Sequence, residues 1–350
     1  MASPMRFGVI VADHKVEIHE HERFSIKPDE VLIRNKACNL CTTDYQQWMG
    51  LRPHNPVPMA FGHESAGIVV DIGDEVENVK VGDHVTVNTY QPCLECDYCR
   101  KGYSSVYCRN SGDTIRIKNK YGYYGYYGCG DYQFAKAKYI FPMNKSLKFE
   151  LAAFCEPLAT VIHGIKKLNI KAGDKVLVIG VGTMGFLNAL TAQYFGGDVI
   201  ISEVSEKKLA MARDFGFEKT INPSNEDYIE KIKDYTKGQD LNSIIIAVGS
   251  TKAYNQALEM ASLGSKFLIF AAGYPAPTWS LEPNPVHYKL FQIIGTYGCS
   301  TGDFQVASEL LSDFSIDPTP LIENSYPLND LEKAFENAAL PDTYRVSVNI

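Results

Sequence analysis

Lys175 to Lys208, KVLVIGVGTMGFLNALTAQYFGGDVIISEVSEKK, is the stretch whose reading decides how the rest of the chain folds. Val176 to Ile179 is an unbroken apolar run after a Gly173-Asp174 turn, the pattern of a parallel strand buried on both faces. Gly180, Gly182 and Gly185 follow as G-x-G-x-x-G, then a helical pattern from Thr183 to about Phe195, then a second strand from Val199 to Ile201 that ends at Glu203. The first glycine permits a tight turn, the second lets a pyrophosphate approach the backbone, and the third lets helix and strand pack closely. The helix start at Thr183 and Met184 presents free N–H groups and a partial positive charge to the phosphates, with Val181 inside the turn. Glu203 stands where a carboxylate accepts hydrogen bonds from the adenosine ribose hydroxyls. A 2′-phosphate about 4 Å away would meet roughly 4 kcal/mol of repulsion per unit charge at an effective dielectric near 20, so NAD is favoured over NADP. Lys207 and Lys208 offset part of that repulsion.

Outward from this unit, 350 residues suffice for two domains with separate cores. No apolar run reaches the eighteen or so residues that span a bilayer. The first twenty residues lack the basic, apolar and small-residue order of a secretion signal, so a cytoplasmic protein is expected. A net charge of −7 without a basic stripe argues against nucleic acid as the main partner.

Residues 1 to about 90 alternate short apolar runs (Phe7 to Val11, Val31 to Asn35, Gly67 to Asp71, Val85 to Asn88) with turns such as GDEVENVKVGD at 73–83 and RPHNPVPM at 52–59. They read as a mostly β domain, with little helical periodicity before residue 150. From residue 173 strands alternate with helices. The expected helices are Glu206 to Phe215, Glu226 to Thr236 and Lys252 to Ser262, and the expected strands Ser243 to Ala247, Lys266 to Phe270 and Gln292 to Ile294. That alternation builds a doubly wound parallel sheet, an α/β architecture. Two more helices are expected near Phe304 to Leu311 and Asp330 to Asn337.

Four of the nine cysteines, Cys93, Cys96, Cys99 and Cys108, are spaced C-x2-C-x2-C-x8-C. In a large chain with an odd cysteine count, thiolates so close on a loop point to a structural zinc site of four sulfurs with no open position. Arg100, Lys101 and Arg109 lie beside them to offset its charge. A second set is dispersed: Cys41, His63 and Glu156. Each alone is a buried small residue, a core histidine or a solvated charge. Together, beside a dinucleotide loop, they supply three ligands and leave one position for water or substrate, as a catalytic zinc requires.

These motifs, C-T-T-D at 41–44, G-H-E at 62–64, V-G-D-H-V at 81–85, the cysteine lobe, E-P-L at 156–158 and G-V-G-T-M-G, resemble the zinc-dependent medium-chain dehydrogenases, in the sorbitol (polyol) and L-threonine dehydrogenase branch. The resemblance implies a GroES-like, mostly β, zinc-binding catalytic domain at 1–157 and 298–350 and a Rossmann NAD-binding domain at 158–297, with the active site in the cleft between them. It implies two zinc ions per chain, NAD, and a homodimer or homotetramer. Cys41, His63 and Glu156 would hold the catalytic zinc, with Glu64 a fourth ligand or a partner behind the ligands. Asp44 would orient His63, Thr43 would accept the alcohol proton, Lys208 would flank the ribose, and Arg345 would reach the pyrophosphate.

Three departures stand out. The fourth lobe cysteine follows eight residues where the family has seven. Tyr45, Gln46 and Gln47 replace the histidine that many relatives carry after the hydroxyl residue. The segment G-T-Y-G-C at 295–299 lacks the arginine found near there in polyol and threonine dehydrogenases. Cys155 competes with Glu156 as ligand, and Cys38 reads as filler. The tyrosine-rich YGYYGYYGCGDYQF at 121–134 reads as a border of the substrate cleft, a surface hairpin or a subunit contact. The expected activity is hydride transfer between NAD and a secondary alcohol of a polyol, cyclitol or sugar-derived molecule. A 3-hydroxy amino acid dehydrogenase is the alternative within the class, and a non-catalytic dinucleotide sensor the alternative outside it.

Overall fold

The structure, a computed structural model, describes residues 4–110, 118–119, 121–225 and 227–350. The chain forms two compact units, Met1–Ala159 with Gly298–Ile350, and Thr160–Tyr297.

In the first unit, a sheet carries the strands Ile322–Pro327, Arg345–Asn349, Glu30–Leu40, Glu64–Ile72, His84–Val87 and Ile140–Met143 side by side, with Tyr132–Lys136 also on Glu30–Leu40. The long strand Glu30–Leu40 is its spine. Along it Leu40 faces Val346 on one side and Asn39 faces Glu64 on the other. That register brings the C-terminal end of one strand to the starts of two others. Cys41, Glu64 and Arg345 therefore converge at one end of the sheet, although the sequence holds them far apart. A second sheet joins Lys15–His21, Met5–Ala12, Met59–Ala60 and Tyr124–Gly125.

The mostly β reading of the N-terminal half holds; beside the four-residue helices Asp97–Arg100 and Phe149–Ala152, two longer ones stand out. Thr42–Trp48 is a seven-residue helix, too short to show a periodicity. It starts from a capping box in which the Asp44 carboxylate accepts from the Cys41 N–H at 2.9 Å. Cys155–Leu168 is a helix of fourteen residues that begins at the E-P-L motif.

The tyrosine-rich segment packs inward. Tyr123 and Tyr127 stand edge-on to Phe7 at centroid distances of 5.1 and 4.9 Å, and Phe24 meets Tyr127 at 5.1 Å. Edge-to-face pairs of this kind are preferred for aromatic rings. Tyr127 is thus part of the core, and Tyr121, Tyr123, Tyr132 and Phe134 pack half-buried against it, which the segment's composition did not reveal.

In the second unit six parallel strands lie in the order Thr220–Ile221, Asp198–Ser202, Lys175–Ile179, Ser243–Ile246, Lys266–Ile269 and Gln292–Gly295. In chain order this is 3-2-1-4-5-6, the arrangement of two mononucleotide-binding halves. Val176, Leu177 and Val178 are fully buried, as the unbroken apolar run requires. The helices Thr183–Tyr194, Glu206–Asp214, Tyr228–Thr236 and Thr251–Met260 connect the strands. The third was expected to begin at Glu226, which lies outside the described residues. The fourth stops two residues before the expected Ser262, because Ala261 turns extended and Ser262 donates its N–H to Ser265 Oγ at 2.9 Å. Among the described residues no helix is long and apolar enough to cross a membrane.

Candidate active site

Cys41 caps the helix Thr42–Trp48, His63 lies on the loop entering the strand Glu64–Ile72, and Glu64 opens that strand. One ligating atom from each of the three lies within 4.8 Å of the others. Asp44 stands behind them. Its Oδ1 is 3.6 Å from His63 Nδ1, while its other oxygen holds the Cys41 N–H. A carboxylate in this position is of the kind that supports ligating histidines from behind.

Glu64 is fully buried, and Arg345 Nη2 lies 3.0 Å from its Oε1. Neither Glu64 oxygen has a well-aligned hydrogen-bond donor. Arg345 Nη1 donates to the Leu40 carbonyl at 3.0 Å, and the side chain is only 3% exposed. Arg345, expected from the resemblance to reach a pyrophosphate, is buried against Glu64, a pairing set by strand register that no local motif announces.

Glu156 is not in the tightest set. Its Oε1 accepts from the Tyr90 hydroxyl at 3.1 Å. Cys155, its competitor, is fully buried and donates its thiol to the Phe304 carbonyl at 3.7 Å. Cys155 is thus committed elsewhere, and of the two only Glu156 exchanges charge with His63. Tyr90 was missed because the lone tyrosine in V-N-T-Y-Q carries no motif. Tyr126 was singled out only as part of its segment; its ring lies edge-on to His63 at 6.4 Å.

The electrostatics suit a cation. Burial pushes the Glu64, Glu156 and Asp44 carboxyls up, most strongly at Glu64, and the charges of His63 and Arg345 offset this in part. Burial also pushes the Cys41 thiol up, but His63 and Arg345 outweigh it and bring it down to about 7. His63 is pressed down by burial, yet held well above its ordinary value by Asp44 and Cys41. Four acidic groups thus crowd around two basic ones in a largely buried site, and neither Glu64 oxygen has a well-aligned donor. A divalent ion satisfies those lone pairs and charges together, and the donor set of sulfur, imidazole and carboxylate is one zinc accepts. The residues fit.

The cysteine lobe fits as well. Cys93, Cys96, Cys99 and Cys108 bring their sulfurs within 4.8 Å of one another. The Cys96–Cys99 and Cys93–Cys99 separations are 3.5 and 4.0 Å. Tetrahedral zinc with bonds near 2.3 Å requires sulfurs roughly 3.8 Å apart. A disulfide would need about 2.05 Å. The backbone N–H groups of Glu95 and Cys96 donate to Cys93 Sγ at 3.4 and 3.2 Å, and that of Cys93 to Cys108 Sγ at 3.1 Å. Burial pushes Cys108 up, but the backbone N–H groups of Cys93 and Asn110, together with the Cys93 and Cys99 thiols, bring it down to about 6, toward the thiolate a metal needs. Arg109 pairs with Asp97 at 3.0 Å and stacks on Tyr98.

In the second unit Gly180 turns at φ +83°, a conformation that favours glycine. A Cβ on Gly185 would stand 1.8 Å from the Gly180 carbonyl oxygen, so only glycine lets the helix approach. Gly182 caps the helix at an ordinary φ of −63°, with nothing within 4 Å of an added Cβ. Nothing inside the unit requires that glycine. Glu203 ends its strand as expected and also clamps the loop: Oε2 accepts from Val181 N at 2.8 Å, and Oε1 from Val204 N and Ser205 N at 2.8 and 3.0 Å. Lys208 lies in the first turn of the next helix, its N–H directed to the Ser205 cap.

Comparison with known proteins agrees with this geometry. The family described as alcohol dehydrogenase GroES-like domain matches residues 27–145, and that described as zinc-binding dehydrogenase matches residues 180–313. L-threonine 3-dehydrogenase of Bacillus subtilis (strain 168) is 30% identical over 339 residues, covering 94% of this chain and 92% of the relative. D-arabitol-phosphate dehydrogenase of Enterococcus avium is 25% identical over 324 residues, covering 91% and 90%. Among solved structures, an NADP-bound protein of Sinorhizobium meliloti 1021 described as a zinc-binding dehydrogenase superposes with a TM-score of 0.89 at 25% identity, covering 100% of both chains. With both family descriptions seated in order along the sequence and a relative matched over almost its whole length, the chain belongs to the zinc-binding dehydrogenases, the medium-chain alcohol dehydrogenase family with a GroES-like domain.

Proposed function

We propose that this zinc-dependent alcohol dehydrogenase oxidises a secondary alcohol of a polyol, cyclitol or sugar-derived substrate, with NAD rather than NADP as acceptor. The observation that carries the reading is the cluster of half-buried Cys41 and His63 with buried Glu64, their ligating atoms within 4.8 Å, backed by Asp44. A sensor that only binds a dinucleotide has no use for it. The first unit, with Gly298–Ile350, is the catalytic part and the second the dinucleotide-binding part.

Cys41, His63 and a carboxylate, Glu64 or Glu156, hold the catalytic ion, and the four lobe cysteines a structural one. When bound, the zinc ion supplies Lewis acidity to the alcohol oxygen, and the nicotinamide ring accepts the hydride. Asp44 fixes the His63 ring. Thr43, between the two residues of the capping box, takes the alcohol proton outward. Arg345 neutralises Glu64 and keeps it beside the ligands. The Val181–Glu203 contact holds the glycine loop in shape before a dinucleotide arrives. Glu203 also sets the preference for NAD, by repulsion of a 2′-phosphate. A reducing compartment such as the cytoplasm suits nine cysteines none of which is paired in a disulfide, and a homo-oligomer belongs to the same reading.

A 3-hydroxy amino acid is the second reading, favoured by the identity to an L-threonine 3-dehydrogenase. Reduced-dinucleotide formation at 340 nm with linear polyols, cyclitols, polyol phosphates and threonine, each with NAD and with NADP, tests both. Turnover of a polyol-type substrate with NAD supports the first, and turnover of threonine alone the second. Silence across all classes, with zinc present at Cys41, refutes both.

A further inference from the structure

Along one edge of the strand Glu30–Leu40 the pairing partner changes. Tyr132–Lys136 pairs with it from Glu30 to Arg34 and Arg345–Asn349 from Ala37 to Leu40, so Asn35 and Lys36 stand at the gap where one partner ends and the other begins. On the opposite edge Asn35 pairs with Gly67 and Ala37 with Ala66, which makes Lys36 the extra residue of a bulge, a device that re-aims a side chain. A cavity of about 370 Å³ opens there, with Lys36, Arg34, Arg23 and Tyr132 in its lining, large enough for a small ligand. Tyr132 gathers the two arginines. The guanidinium carbons of Arg23 and Arg34 lie 4.8 and 5.8 Å from its ring centroid, as cations over an aromatic face do, and Arg34 Nη2 donates to the Tyr132 hydroxyl at 3.4 Å.

We propose that this cavity binds the phosphate group of a small phosphorylated molecule, at a place separate from the catalytic centre. The inference stands apart from the dehydrogenase reading. Three cations from a loop, a strand and a bulge converge on one space, and among the described residues no carboxylate, that of Ile350 included, forms an ion pair with any of them. Asp131, the acidic side chain of the lining, is committed to Arg6: its Oδ1 accepts from Nη2 at 3.0 Å and its Oδ2 from Nε at 3.2 Å. The lining thus keeps an excess of positive charge. A phosphomonoester brings a charge of about −1.5 to −2 and three acceptor oxygens, and guanidinium forks match such oxygens in pairs. The Tyr132 hydroxyl has no acceptor for its own proton among the described residues, so it adds a further donor. A planar carboxylate, with two oxygens, meets fewer of these donors. Cys41 lies roughly 17 Å along the chain from Lys36 at about 3.4 Å per residue, beyond the reach of one small ligand.

The test is isothermal titration calorimetry on the whole, zinc-loaded chain, saturated with NADH so that the dinucleotide site is closed to phosphates, with glycerol 3-phosphate, pyrophosphate and citrate as probes. Wild-type protein is expected to bind one of the two phosphate compounds at one site per chain with a Kd of about 1 mM or tighter, and the preferred one tells an ester from a diphosphate. Arg23→Gln and Arg34→Gln should each weaken that binding by roughly tenfold or more, the range of a charged hydrogen bond. Tyr132→Phe, which keeps the ring, should weaken it several-fold. Lys80→Gln, which removes an exposed lysine elsewhere on the unit, should leave it unchanged, and NADH affinity should be the same in all four variants. If Arg34→Gln does not fold, Arg23→Gln, at an exposed loop position, carries the test alone. Absence of phosphate binding to wild-type protein overturns the inference. So does an unchanged Kd in folded Arg23→Gln and Arg34→Gln, an equal loss in Lys80→Gln, or citrate bound more tightly than both phosphate compounds.

Discussion

Gly182 and Gly185 sit three residues apart in one motif, yet the structure assigns them opposite costs. Gly185→Ala places a methyl group 1.8 Å from the Gly180 carbonyl oxygen and 2.8 Å from its carbon. Both are backbone atoms of a turn between a buried strand and the helix Thr183–Tyr194, so no flexible side chain can move aside. Restoring ordinary contact near 3.4 Å requires the helix to withdraw by roughly 1.5 Å, and overpacking of this kind costs about 1–3 kcal/mol. At roughly 2–4 °C per kcal/mol for a domain of this size, the unit should melt several degrees lower. Gly182→Ala meets nothing within 4 Å, and its φ of −63° suits alanine. Reduced entropy of the unfolded chain should stabilise it by about 0.4–1 kcal/mol. Its methyl group would nonetheless stand where a pyrophosphate must approach the turn. Losing one charged hydrogen bond there costs about 1.5–3 kcal/mol, or roughly 10- to 150-fold in Kd. Differential scanning calorimetry and NADH fluorescence titration read the two effects separately. Gly185→Ala should lose stability and binding together, and Gly182→Ala binding alone. Wild-type NADH affinity in Gly182→Ala would refute the placement of the phosphates on this turn.

Three further outcomes follow from single contacts. Burial pushes the Asp198 carboxyl up, but Lys175 and Lys219 outweigh it and hold it below its ordinary value. A carboxyl lowered in this way stabilises the fold above its unfolded pKa, near 3.9, and the gain is lost as pH falls through the lower folded value. Asp198→Asn should therefore cost about 1–2 kcal/mol at neutral pH by urea unfolding, with the difference vanishing toward pH 2–3; a constant difference would contradict it. Cys155→Ala should keep full metal content, since the thiol contacts the Phe304 carbonyl, whereas Glu156→Gln should depress turnover; elemental analysis and kinetics on both variants decide between them. Cys96→Ser should remove one zinc per chain and open the lobe to limited proteolysis while NADH still binds, because the lobe and the glycine loop belong to different units.

What the sequence made legible follows the range of the interactions involved. Apolar runs such as Val176 to Ile179, and the Cys93 to Cys108 spacing, act within a few residues, and strand and cluster stand where the spacing placed them. Gly185 was legible for the same reason, since its constraint lies five residues away. The Glu64–Arg345 pair is far apart in the chain and arises from two strands that flank Glu30–Leu40 in a sheet whose order no local pattern states. Tyr90 against Glu156 and Phe7 against Tyr127 are of the same kind. The helix Thr42–Trp48 escaped for another reason: its two turns carry a cap but no repeat, and the cap residue Cys41 reads first as a metal ligand.

The central claim is that turnover depends on an ion at Cys41 and His63. The most direct measurement is zinc content per chain, followed together with NADH formation during stepwise chelation and zinc readdition. Two ions per chain in the active protein, with activity lost as one leaves and restored as it returns while the lobe keeps the other, is the expected result. Undiminished turnover in Cys41→Ala or His63→Ala protein, with only the lobe ion bound, would contradict it.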